Sequence, residues 1–497
     1  MTVIEHHSSQ VVRPRYTRNW WPIPTTASIE MWERFSFYGL QSILAYYIYT
    51  SVAEGGLGLP KEQATALVGA YGALLYLCTI AAGWVSDRIL GTERTLLAGA
   101  ILVMSGHIVS SMSDSFFGLI VGLMPIAAGS ALIKTAAIAI LGTIYDPQSP
   151  QRSIAFQAFY LGISIGGLGG PMLTGWLAHK YSYQIGFAAA AFVMGIGLVS
   201  HAVLRRIMNS QLPDDVLAAI SYPPHPMSRN SAIGFITTSV AVLSIIAWLL
   251  GTEIIAPATL SMLLLIVSLS VAAVLFTTIS RSPLTTPAEK KKVFAYIPLF
   301  LALVTYWILW LQTPGVLAIY SEQRLNRMVG GFEIPASWTQ SLAPFYALVF
   351  CAPVAWLWAK AARRRGTQSD GLSMSIGIII AGTGIFLLVP YVGGGTGSTP
   401  FAVLALVMLL MTLGKLLISP VGMAATTAHA PRKFATRFSA LFYLSLAIGG
   451  SIAGSISTFY NPDDPRAELS YLLFIGAVPI LLGVLLLAYS VIAEKNL

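Results

Sequence analysis

Fourteen apolar runs, each near the ~20 residues a helix needs to cross bilayer hydrocarbon, fill most of this chain between short polar breaks. No other feature restricts the fold as much. In hydrocarbon every backbone N–H and C=O needs an internal partner, which a helix of this length supplies within itself. The runs lie near 30–52, 63–86, 95–113, 116–142, 153–178, 184–205, 232–250, 258–280, 293–320, 338–361, 373–392, 400–428, 434–458 and 468–492. Charged residues make up 10% of the chain, against about 25% in soluble proteins, and mean hydropathy is +0.73. The expectation is an all-α polytopic membrane protein.

The net charge of +9 would suit a nucleic-acid partner, but its distribution argues for a membrane. With the amino terminus inside, twenty-one of the 29 Lys and Arg fall in cytoplasmic segments, among them Arg88, Arg94, Arg205, Arg281, Lys290 and Arg432. Five lie outside: Lys61, Lys180, Arg324, Arg327 and Arg466. The positive-inside rule accounts for this bias and sets both termini in the cytoplasm, with lipid and no nucleic acid as the surroundings. Residues 1–29 are polar and basic, reading as a cytoplasmic arm and not as a signal peptide. Cys78 and Cys351 sit in separate apolar runs and read as small hydrophobes; no metal site is expected.

Proline and charge divide the chain further. The stretch 207–231 contains Pro213, Asp214, Asp215 and three later prolines, and 281–292 ends in three lysines. Between them, 232–280 holds two spans almost free of ionisable groups, as an inserted hairpin would. The expected order is an arm (1–29), a six-helix bundle (30–206), a linker (207–231), the hairpin (232–280), a linker (281–292), a second six-helix bundle (293–492) and a tail (493–497).

Five charges remain inside the spans: Glu30, Glu33, Arg34, Lys134 and Lys415. Each costs roughly 2.5–3.5 kcal/mol near the bilayer centre on insertion scales, so they are expected to converge on one wet, internally paired cavity. At 100° per residue Glu30, Glu33, Arg34, Phe37 and Gln41 share a helix face. A self-neutralising ion pair would explain the first three; a proton- or substrate-handling face explains all five charges. A carboxylate beside a movable cation gains a proton when the cation leaves, which suffices to couple protons to a rocking motion. Glu30 or Glu33 with Lys134 would supply that pair. No HExxH and no phosphate-binding glycine loop occurs in the sequence, and an enzyme is not expected.

Several motifs then narrow the fold. Gly83-Trp84-Val85-Ser86-Asp87-Arg88-Ile89-Leu90-Gly91 resembles the signature loop of the major facilitator superfamily, in which Gly83, Asp87, Arg88 and Gly91 form a tight cytoplasmic turn. Glu30-x-x-Glu33-Arg34-Phe35-Ser36-Phe37-Tyr38-Gly39 resembles the ExxERFxYYG motif of proton-coupled oligopeptide transporters. Phe159–Gly166, Ser337–Pro344 and Leu413–Gly422 are similar to that family's FYxxINxGS, SWxQSLNP and LGELLxSPVGL patterns, in the right order. The resemblance extends over almost the whole chain. It implies the major facilitator fold, two six-helix bundles plus the inserted pair, in a bacterial inner membrane. It also implies protons as the coupling ion with no other cofactor, small peptides as cargo, and a monomer.

Carried over residue by residue, the resemblance assigns proton coupling to Glu30, Glu33 and Lys134. Substrate contacts fall on Arg34, Phe37, Tyr38, Tyr76, Lys134, Ser164, Gln312, Trp338, Lys415 and Ser419. The sequence also departs from the family. Leu311 stands where the seventh core helix carries an acid, and Lys415 where the tenth carries the acid that holds the peptide's amino terminus. Ser164 and Ala343 replace asparagines. An ammonium beside Lys415 trades an attraction for a repulsion, so the cargo either presents an anionic group there or lacks a free amine. Alternatively, Lys415 pairs structurally with Glu30 or Glu33. The leading expectation is proton-coupled import of di- and tripeptides, with an anionic or amine-blocked cargo second and a non-transporting membrane receptor third.

Overall fold

The computed structural model describes residues 20–146, 149–365 and 370–495; residues 1–19 of the expected arm and 496–497 of the tail lie outside that range. The first half comprises α1 (Pro22–Tyr49), α2 (Lys61–Val85), α3 (Thr92–Ser111), α4 (Phe116–Ile144), α5 (Pro150–Lys180) and α6 (Tyr183–Gln211). A short helix α7 (Asp214–Ser221) leads to the inserted pair α8 (Arg229–Gly251) and α9 (Pro257–Arg281). The second half contains α10 (Pro287–Trp310), α11 (Val316–Gln323), α12 (Leu342–Arg365), α13 (Asp370–Phe386), α14 (Phe401–His429), α15 (Ala435–Ile456) and α16 (Pro465–Lys495).

Among the described residues thirteen helices are long and apolar enough to span a membrane. The fourteenth expected span, α1, has 28 residues and falls outside that set on polarity, not on length. It also starts at Pro22, eight residues before the apolar run, because a proline in the first turn costs no hydrogen bond there. Starts are marked by side-chain caps at Ser115, Ser149, Ser182 and Ser228 and by a capping box of Thr286 with Glu289. The seventh core span, expected to run unbroken over 293–320, breaks after Trp310 and resumes as α11, with Pro314 and Gly315 in the gap. A proline cannot donate to the helical ladder, and the hydropathy that continued through it hid the interruption.

Within the first half α1 lies against α5, α6 and α4, and α3 against α4 and α6. In the second half α13 packs on α14 and α16. Between the halves α2 meets α15 where three glycines face each other: a Cβ on Gly69 would come 2.6 Å from Gly454 N and 3.0 Å from Gly450 O. Bare backbone lets two membrane helices approach this closely. α9 touches both α2 and α15, with Ser261 Oγ donating to Ala66 O at 3.1 Å. Most of the hairpin faces outward: 11% of the apolar window of α8 is buried within the protein, against 67% for α4.

Two faces of the molecule differ in charge. On the basic face the last turn of α2 ends in the loop Ser86–Leu90, closed by Gly91 at φ +79°, where a side chain would be strained. The linker lies over this loop: His225 N donates to Asp87 O and Met227 N to Arg88 O, each at 3.1 Å. α7, expected as part of an irregular connector, buries Val216 and Ile220 completely beside α3 and α4. Glu93 anchors it, accepting from Arg205, from Asn209 at 3.0 Å and from Ser221 at 3.1 Å. Arg94 lies over the Tyr222 ring, 5.3 Å from its centroid. Together these groups line a cavity of about 290 Å³.

The opposite face carries two short strand pairings: β1 (Leu325–Asn326) with β4 (Thr399–Pro400), and β2 (Met328–Val329) with β3 (Phe332–Glu333). Toward this face hydrogen bonds tie the two halves together. Tyr46 donates to Ala318 O at 2.9 Å, Tyr49 to Glu322, Trp338 Nε1 to Met172 O at 3.0 Å and Ser341 Oγ to Leu168 O at 2.8 Å. Lys61 pairs with Asp463 at 3.7 Å.

Candidate functional site

The helix face read from the first span is buried as a unit. Glu30 and Glu33 have no exposed surface, Arg34 is 2% exposed, and Phe37 and Gln41 are buried beside them. The 3.6-residue repeat turns this face from the bilayer toward the interior of the first bundle, where charges can pair. Arg34 Nε lies 2.5 Å from Glu33 Oε2 and 3.2 Å from Glu30 Oε1. Glu33 also accepts from Ser130 Oγ of α4 at 2.6 Å, a partner 97 residues away that no local pattern reveals. Glu30 makes its ion pair but accepts no hydrogen bond among the described residues.

The expected pairing of Lys134 with an acid does not form. Lys134 is half-buried, and its ammonium stands over the Tyr76 ring, 4.9 Å from the centroid. Lys415 behaves alike in the other half: half-buried on α14, its ammonium is 4.0 Å from the centroid of Trp310, at the end of α10. Among the described residues no carboxylate lies within 4 Å of either ammonium. Pairing of Lys415 with Glu30 or Glu33, the structural alternative, is therefore not formed: Arg34 holds both acids. Lys134 and Lys415 are close enough across the seam to interact electrostatically.

Aromatic rings fill the space between. Arg34 Cζ lies 5.0 Å from the Phe37 centroid and 5.9 Å from that of Tyr38, and Phe37 stacks on Tyr71 at 6.1 Å. Tyr76 packs against the cores of both halves. Arg34, Phe37, Tyr38, Tyr76, Lys134 and Lys415 thus come together. Ser419 sits one turn beyond Lys415 on α14, and Ser164 on α5 spends its hydroxyl on Tyr160 O at 3.1 Å.

Two of the expected contacts lie elsewhere. Gln312 is 1% exposed and accepts from Tyr471 of α16 at 2.7 Å, so the break in the seventh span turns it into its own bundle. Trp338 belongs to the closed seam at the opposite face, on Met172 O and beside the Phe332 ring at 6.0 Å. Leu311, where the family acid is missing, is buried and packs toward Gly72 and Gly450.

Sequence reasoning passed over Glu322. Tyr49 donates to its carboxylate, and it lines a cavity of about 180 Å³ with Tyr46, His179, Tyr183, Arg327 and Ser337. Burial holds this carboxyl above the usual range, against the pull of Tyr49, Arg327 and Lys61. Glu322 lies just past the ninth apolar run, 293–320, where a polar residue reads as solvated; its enclosure depends on helices from the other half.

Residues 93–469 match the model of the POT family. The chain is 34% identical to the uncharacterized transporter YclF of Bacillus subtilis, over 94% of this chain and 92% of that protein. It is 31% identical to a di-/tripeptide transporter of Lactococcus lactis subsp. cremoris, over 93% of each. Among solved structures it resembles a peptide transporter POT in complex with sulfate (TM-score 0.86, 32% identity, 95% and 94% covered). It also resembles a POT family transporter in complex with 5-aminolevulinic acid (TM-score 0.83, 28% identity, 94% and 96% covered).

Proposed function

The chain belongs to the POT family, and on that premise we propose that it is a proton-coupled symporter that imports di- and tripeptides by alternating access. One observation carries the reading: two buried carboxylates bound to Arg34 share the seam with two ammoniums that rest on aromatic rings, one contributed by each half. A group that keeps costly charges in a membrane has a use for them. Glu33 is committed to Ser130 and Arg34, whereas a proton arriving on Glu30 breaks no hydrogen bond. Rocking one half over the other moves Lys415 relative to Lys134, which itself acts electrostatically on Glu30, and leaves the Arg34 pairs within α1 intact. That is the coupling step.

The bonds that join the halves at the strand-bearing face support reading this conformation as closed there, with access from the basic face. The excess of Lys and Arg on the basic face supports assigning it to the cytoplasm of a bacterial inner membrane, with both termini inside. The proton is the coupling ion and no further cofactor is invoked. The outward surfaces of α8 and α9 meet lipid, and the transporter works as a monomer.

The test is uptake of Ala-Ala into proteoliposomes with an acid exterior. Accumulation that collapses when a protonophore dissipates the gradient is expected. Uptake of equal size with and without the gradient would refute proton coupling, and no uptake of any dipeptide would refute the peptide reading.

A further inference from the structure

The accessible charge of the seam is positive on both walls. Glu30, Glu33 and Arg34 are withdrawn from the surface, whereas Lys134 and Lys415 are only partly buried. Both ammoniums rest on ring faces. A ring stabilises a cation through its quadrupole yet carries no charge of its own, so neither ammonium is neutralised by the partner it rests on. Trp310 is the strongest such platform, and at 4.0 Å Lys415 is well inside the range of the interaction. Gln312 is turned away and Leu311 brings no acid, which leaves no carboxylate from the end of α10 to receive a ligand's ammonium.

We propose that Lys415 on Trp310 is an anion-binding subsite, and that the seam between the halves takes best a peptide-sized molecule with an anionic group at each end, such as an N-succinylated dipeptide. Lys134 meets one anionic end and Lys415 the other. A free amino terminus at Lys415 is repelled. This inference rests on the peptide-transport reading and specifies its cargo.

Three probes separate the contributions: Ala-Ala, N-acetyl-Ala-Ala and N-succinyl-Ala-Ala, titrated calorimetrically against the purified protein and then compared in gradient-driven uptake. The wild type is expected to bind the succinyl compound at least tenfold more tightly than Ala-Ala, with the acetyl compound between them. Lys415→Gln is expected to erase that order, Lys415→Arg to keep it, and Lys415→Glu to favour Ala-Ala. Wild-type protein that binds Ala-Ala as tightly as the succinyl compound overturns the subsite even if every variant fails to fold, and leaves peptide transport standing. Preference for the succinyl compound that persists in folded Lys415→Gln also overturns it. Failure of all three probes to bind or be transported overturns both readings.

Discussion

The two walls of the central seam are built on opposite plans. On the first wall α1 and Ser130 of α4 form a closed circuit, in which Arg34 serves both acids, Ser130 completes Glu33, and none of these three charged groups is appreciably exposed, while Lys134 stands apart on the Tyr76 ring. The second wall, α10 and α14, carries one charge, supported by a ring and available to whatever enters. A buried pair that loses one member is left with an uncompensated charge, so the first wall tolerates little change. The second can alter its charge at far lower cost to the fold. On the proposed reading this is a division of labour, with proton handling where the electrostatics are enclosed and selectivity where they are open.

Breaking the first wall has the largest expected effect. Glu30→Gln should lower gradient-driven uptake at least 100-fold and leave exchange of substrate across an equilibrated membrane nearly intact; retained gradient-driven uptake would move the proton off this wall. A smaller effect is expected at the strand-bearing face. The Glu322 carboxyl, raised by burial, binds its proton more tightly closed than when opening exposes it, so closure takes up a proton and acid favours it. Distances between spin labels at Ser51 and Asn326 should therefore shift toward the short population as pH falls. Glu322→Gln should flatten that dependence, and an unchanged slope would exclude this carboxyl as the sensor. The smallest effect belongs outside the seam. Glu93→Gln, which loosens α7 from α3 and α6, should cost about 1–2 kcal/mol, because Arg205 is partly solvated. Thermal unfolding of the purified protein should show it, with uptake essentially unchanged.

How much of this was legible in the chain varies with the range of the interaction. The helical spans were, because hydrocarbon demands long apolar runs. So was the buried face of α1, since Glu30, Glu33, Arg34 and Phe37 repeat at helical spacing. The partners were not: Ser130 is one serine among many until α4 comes alongside, and nothing near Lys415 in sequence points to Trp310, 105 residues earlier. Lys134 was expected beside an acid because an unpaired ammonium in a membrane is costly; the Tyr76 ring takes that role, and ring contacts have no sequence spacing. Gln312 was misplaced because the break at Pro314–Gly315 sets its direction, and apolar periodicity does not report which bundle a helix end faces. α7 is two amphipathic turns within a proline-rich stretch, too short to rise above its surroundings.

The contact of Gly69 with Gly450 and Gly454 has a mechanical consequence. When two rods touch at one short line, a rotation about that line moves the touching atoms least and the distant ends most. Backbone against backbone offers no interlocking side chains to resist the turn. On the proposed alternating access, that line is the fulcrum about which the basic face swings. Its smoothness, set by three missing side chains, governs how far a small change of charge at the midplane can throw the basic face open.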